Sequence, residues 1–158
     1  MRELRARSVD DKGQGQHAQL FYAEVQNKLL YAVTQKTAAE LVVARADAGQ
    51  PNMALQSFSG SRVRKADVIV AKNHLNADEI DTLNRLVVIF LEQAELRVKD
   101  RHPLTLDYWR SNVDKLLAFN DRPVLQGTGS LSHAAMKTIA HDRYDAFDLQ
   151  RRADEAQQ

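Results

Sequence analysis

Apolar residues recur at steps of three and four along most of this chain, and no stretch alternates apolar with polar positions as a half-buried strand would. Between Leu20 and Val33 the run Phe21, Val25, Leu29 and Ala32 marks a first helix with Gln, Lys and Glu between the apolar positions. Thr37 followed by Glu40 has the spacing of a capping box, so a second helix is expected from Thr37 through Leu41 and Ala44 to about Ala48. Gly49, Gln50, Pro51 and Asn52 then end regular structure, because Gly accepts a left-handed cap and Pro lacks the donor that a helical ladder needs. A loop follows, with Met53 and Phe58 expected to pin it to the core.

Val63 to Ala71 is ambiguous, since Val68, Ile69 and Val70 form a short β-branched run that periodicity alone does not assign; it is read as a helix. Asn76 with Glu79 opens a long helix in which Ile80, Leu83, Val87, Phe90 and Ala94 form a stripe widened by Leu86, Leu91 and Val98. So wide a stripe predicts partners on more than one side, hence the central helix of a bundle. Thr105 caps a further helix whose Trp109, Val113, Leu116 and Leu117 share a face. After a hinge at Gly127 to Ser130, the last helix begins near Ser132 and runs through Met136, Ile139, Ala140, Tyr144 and Phe147.

The expected fold is therefore all-α, a single-domain bundle of about six helices. Residues 1–16 read as a flexible lead-in or linker remnant, 17–152 as the folded domain and 153–158 as a frayed, charged tail. A chain of 158 residues is long enough to bury a core of its own.

Twenty-two basic side chains against twenty-one acidic ones leave a net charge of +1, so the whole molecule offers no field that would steer it to nucleic acid or anionic lipid. Only local patches remain as candidates. The absence of cysteine removes disulfides, thiolate metal sites and a cysteine nucleophile, and fits a cytoplasmic protein. No apolar run follows the basic N-terminal residues, so neither a signal peptide nor a membrane contact is expected.

Amides and charges are dense between Gln26 and Asn73, and the candidate polar site is drawn from there: Asn27, Lys28, Arg45, Asp47, Asn52, Lys65, Asp67, Lys72 and Asn73. Arg62, Arg64, Lys65 and Lys72 form a basic cluster able to grip phosphate through forked guanidinium contacts, though such clusters are commonly a solvated surface and Asp67 stands ready to pair with this one. Arg45 and Asp47, two residues apart, do not face each other on a helix and are expected to tie the following loop to the helices through polar bonds. Glu40 is accounted for by capping alone.

The histidines lack zinc spacing, His141 is expected to pair with Asp145 at the surface, and no metal or cofactor is expected. The GQG and GTG strings lack the strand before and helix after that a phosphate loop needs.

The strings FYAEVQNKLLYAVTQKTAAELVVARADAGQPNMAL, RVRKADVIVAKN and EIDTLNRLVVIFLEQAE resemble, in order, the C-terminal region of the RhuM family of bacterial virulence-associated proteins, over about Ala18 to Arg152. The resemblance implies a C-terminal module, since fuller members carry an additional N-terminal region that looks DNA-binding. Some relatives are fused to Fic-type domains, whose HxFx(D/E)GN signature is absent from this sequence. The family usually has His where this chain has Leu30, Gly where it has Ala54, Trp where it has Phe58 and Tyr where it has His74.

From these readings the expected function is a non-enzymatic helical interaction or regulatory module whose partner is another protein or a second copy of itself. The alternatives are a toxin-like enzyme acting on nucleic acid or nucleotides, with charges around a cleft, and an accessory DNA contact through Arg62 to Lys72.

Overall fold

The computed structural model describes residues 15–158, except for the side chains of residues 15–19 and 21; of the lead-in expected over 1–16, residues 1–14 lie outside the described residues, as does the burial of Phe21, while residues 15 and 16 are already helical. The described residues form five α-helices and no strand, an all-α protein: α1 (Gly15–Thr34), α2 (Ala38–Arg45), α3 (Ala77–Lys99), α4 (Leu106–Phe119) and α5 (His133–Ala156). Helix α1 starts earlier than its apolar pattern, at Gly15.

Four of the starts are fixed as their sequences dictate. Thr37 accepts from the Glu40 amide while the Glu40 carboxylate accepts from the Thr37 amide at 2.9 Å, and Asn76 and Glu79 repeat the exchange at 2.8 and 2.9 Å. Thr105 caps α4 by accepting from Tyr108 N. Ser132 does the same for α5 from Ala135 N.

The sixth expected helix is absent. Lys65–Ile69 and Ala71–His74 are single 3-10 turns; the Asn73 side-chain amide takes the Asp67 carbonyl that an α-helix would have kept for its own ladder, and the Asn73 carbonyl is taken by the Gln56 amide from outside the segment. Helix α2 also stops sooner than expected, at Arg45, where the Arg143 guanidinium donates to the Val43 and Ala46 carbonyls at 2.6 and 3.0 Å. At the other end of the chain α5 stays helical to Ala156, where a frayed tail is expected from residue 153.

The contacts gather into two compact units. Among the described residues the first comprises 15–35 and 81–128; Val25 and Leu29 of α1, Leu86, Phe90 and Ala94 of α3, and Trp109, Val113, Leu116 and Leu117 of α4 belong to its core. Phe90 and Trp109 meet with ring centroids 4.9 Å apart. Val98, expected to widen the α3 stripe, is instead 51% exposed.

The second unit joins residues 36–80 to 129–158, and in it α5 packs on α2 and on the Lys65–Ile69 turn. Leu41, Val42, Met53, Val68, Leu75, Met136 and Ala140 are buried there, and Met53 anchors the loop after α2 as expected. Asn52, Met53 and Ala54 follow one another at φ +57, +59 and +62, a left-handed turn that only the Asn adopts readily.

Candidate functional site

Asn27 and Lys28 belong to the first unit, where they line a cavity of about 500 Å³ with Glu24, Asp114 and the Leu125–Thr128 segment. The Lys28 ammonium donates to Asp114 at 2.7 Å and stands 3.8 Å from Glu24, which in turn accepts from Arg110 at 3.1 Å. Two carboxylates and two cations thus alternate between α1 and α4, and each charge of Lys28 and Asp114 is met across the helix pair.

The remaining candidates belong to the second unit. Arg45 makes a two-pronged bond to Glu79, at 2.6 and 2.7 Å, and its guanidinium also donates to the His74 carbonyl at 2.8 Å. This fork raises the Arg45 pKa and holds the Glu79 carboxyl below its ordinary range, in each case mainly through the shared hydrogen bond. Glu79 therefore both caps α3 and clamps the last residue of α2. Asp47 is exposed and accepts from the Gly49 amide at 2.9 Å, an Asx-type turn that leads the chain out of α2. A cleft of about 510 Å³ is lined by Arg45, Asp47, Ala54 and Arg143. Asn52 is exposed in the left-handed turn.

Each guanidinium or ammonium of the segment 62–65 meets an acid. Arg62 lies 2.9 Å from Glu155, Arg64 3.4 Å from Asp67, and Lys65 3.0 Å from Asp145. The last pair takes Asp145 from His141, to which the sequence assigns it; the His141 Nε2 is buried without a partner. Asp67 is buried, with its carboxylate bonded to the Arg64 amide at 2.8 Å and its carbonyl to the Asn73 side-chain amide at 3.0 Å. Lys72 is exposed, and the Asn73 carbonyl accepts from the Gln56 amide at 2.8 Å.

His74, next in the chain, is 1% exposed. Its Nε2 lies 2.9 Å from the Val68 carbonyl, and since a carbonyl only accepts, the proton sits on Nε2 and leaves Nδ1 bare. Burial first, and the Arg45 charge in addition, push its pKa below the ordinary value.

Capping is only half of what Glu40 does. Its Oε2 accepts from the Ser130 hydroxyl at 2.6 Å and the Ser130 amide at 2.7 Å, so one carboxylate closes the start of α2 and binds the segment that leads into α5. These bonds, the Ser130 hydroxyl foremost, lower its pKa from 4.5 to about 2. Glu40, Glu79, Asp114 and Ser130 were not legible as partners, because their mates lie 34 to 90 residues away and no spacing rule reaches that far. The only sequence signal was an acid in a capping position with a second oxygen to spare.

Among the described residues no three His, Asp or Glu side chains converge so as to hold a metal ion, and no helix is long and apolar enough to cross a membrane. What the geometry defines is a helical protein whose conspicuous charges lock its own elements together. The family model of the virulence protein RhuM family matches residues 1–155, and the chain belongs to that family. No curated protein matches the chain, and no solved structure does.

Proposed function

We propose that this chain is a non-catalytic interaction module of a virulence-associated RhuM protein, acting in the cytoplasm through contact with another protein or a second copy of itself. The observation that carries this reading is the engagement of the charges a phosphoryl-transfer site would need: Arg45 is held by Glu79, and Arg62, Arg64 and Lys65 by Glu155, Asp67 and Asp145. A catalytic charge must be free to meet the charge that develops on the reacting group, and a guanidinium already forked onto a carboxylate is not. Asn27, Asp47, Asn52, Lys72 and Asn73 then serve as positioning and surface groups around that scaffold.

The test is turnover and binding by the intact chain. Incubation with nucleoside triphosphates, RNA and single- and double-stranded DNA is expected to give no hydrolysis or transfer, and titration with duplex DNA no affinity that falls steeply with salt. Turnover by the wild-type chain that Arg45→Ala or Lys72→Ala abolishes overturns the reading in favour of an enzyme. Salt-dependent DNA binding lost in an Arg62→Ala, Lys72→Ala double variant overturns it in favour of a nucleic-acid contact.

A further inference from the structure

The loop between Ser57 and Val63 in the second unit folds around a concavity of about 510 Å³ lined by Ser59, Gly60, Ser61, Arg62 and Arg64. Both ends of the loop are pinned. The Gln56 and Ser57 amides donate to the Asn73 carbonyl at 2.8 and 3.3 Å, and the carbonyl of the buried Val63 accepts from the Arg151 guanidinium at 3.0 Å. Gly60, at φ +80, makes the turn between the two serines.

The wall of this concavity offers donors and no carboxylate. Arg62 meets Glu155 through Nη2 alone, so its Nε and Nη1 have no hydrogen-bond partner among the described residues. Arg64 donates from Nη2 to the Ser59 hydroxyl oxygen at 3.1 Å and reaches the Asp67 carboxylate only at 3.4 and 3.5 Å, which leaves Nη1 over. The Ser61 hydroxyl and the amides of Ser59 to Arg62 make no hydrogen bond among the described residues either.

We propose that this concavity is a phosphate-monoester site, through which the chain recognises a phosphorylated side chain of a protein partner. The proposal rests on the interaction reading above and names the chemistry of the partner. A phosphate monoester carries a charge of about −1.5 to −2 near neutral pH and three strong acceptor oxygens, which suits two guanidiniums and two hydroxyls around one space. A phosphodiester brings less charge to each group, and a chain of net charge +1 has no field to gather a run of them. The present ion pair does not close the site: Arg62 and Glu155 are 55% and 47% exposed, and a single contact so open to water holds little. Exchanging one counter-charge for another is recognition and asks nothing of a reacting group.

Titration of the full nitrogen-labelled chain, followed by NMR at the Gly60 and Ser61 amides, tests this. The probes are a phosphoserine peptide flanked by glycines, the same peptide unphosphorylated, inorganic phosphate and dimethyl phosphate. The phosphopeptide and inorganic phosphate are expected to shift these amides saturably, the unphosphorylated peptide not at all, and dimethyl phosphate to bind about tenfold more weakly. Arg62→Ala and Arg64→Ala are each expected to weaken the phosphopeptide about tenfold with an unchanged circular dichroism spectrum, as the loss of a charge-assisted hydrogen bond implies. Glu155→Gln, which removes the acid competing for Arg62, is expected to tighten binding, a gain that loss of folding does not produce. Shifts that never saturate, or that both arginine variants retain, mean an adventitious ion only and overturn this inference while the interaction reading stands. Inorganic phosphate that binds where the phosphopeptide does not assigns the concavity to a free anion, with the same result. Dimethyl phosphate bound as tightly as the monoester, with duplex DNA held through Arg62 and Arg64, puts nucleic acid in place of the partner and overturns both. Release of phosphate from the peptide makes the site catalytic and overturns both as well.

Discussion

Ala54 sits at φ +62, in a region that an L-residue with a Cβ enters at a cost of about 1–2 kcal/mol. Its neighbour Met53 shares the conformation but is fully buried, so packing holds it in place; Ala54 has no such side chain to compensate. The RhuM pattern that this sequence resembles usually has Gly at this position, which fits a backbone demand rather than a chemical one. Ala54→Gly is accordingly expected to stabilise the chain, by about 0.5–1 kcal/mol after the greater freedom of Gly in the unfolded state is set against the relieved strain. Urea denaturation gives the sign directly, and a loss of stability would show that the turn is held by something other than its φ angles. At this scale the sequence is a good guide to which residues are engaged and a poor one to their mates. Arg45 visibly lacked a helix neighbour, yet nothing in its surroundings pointed to Glu79, thirty-four positions on.

Helix starts were the most legible elements, because a capping box is a local exchange of hydrogen bonds whose spacing is written in four consecutive residues. Thr37 with Glu40, Asn76 with Glu79, Thr105 and Ser132 all open helices as read. Helix ends and the Val63–Ala71 segment were not legible, because their outcome depends on distant groups: Arg143 stops α2, and Arg151 reaches the Val63 carbonyl at 3.0 Å. The segment before α5 gives a test at this scale. Gly129 has φ +89, and a Cβ built on it would stand 2.5 Å from the Thr37 Cγ2; Gly60 has φ +80 with nothing within 4 Å. Both positions penalise a side chain through the backbone, but only Gly129→Ala also presses on the Thr37–Glu40 cap. Gly60→Ala is expected to cost about 1 kcal/mol and Gly129→Ala about 1–3 kcal/mol more, measured by thermal unfolding of the two variants side by side. Equal losses would mean that the Thr37 cap yields freely.

For the whole molecule the buried and clamped groups predict how stability depends on pH. Glu40 titrates near 2 in the fold against 4.5 ordinarily, so its contribution is complete above pH 4.5 and is lost as the pH falls toward 2. His74 has its pKa lowered by burial, so the unfolded chain binds its proton first; stability is expected to fall as the pH drops below the ordinary histidine value of about 6.5. Unfolding curves from pH 8 to pH 3 should therefore show two declines. Glu40→Gln should flatten the lower one, and His74→Tyr, which installs the residue usual in the resembled family, the upper. A wild-type profile flat between pH 7 and 5 would mean that His74 titrates alike in both states. The all-α character of the chain was legible from its periodicity, whereas its division into two units was not, because helical spacing says which face of a helix is covered and nothing about which segments cover it.

That division has a consequence for synthesis. The second unit is interrupted in sequence, opening at residue 36, breaking off at residue 80 and resuming only with Gly129 and the Ser130 that grips Glu40. As the polypeptide leaves the ribosome, everything the first unit requires has emerged by residue 128, while α2 and its turns wait for a helix still being translated. A chain cut short at that point keeps every residue of the earlier-completed unit and leaves the α2 surface bare.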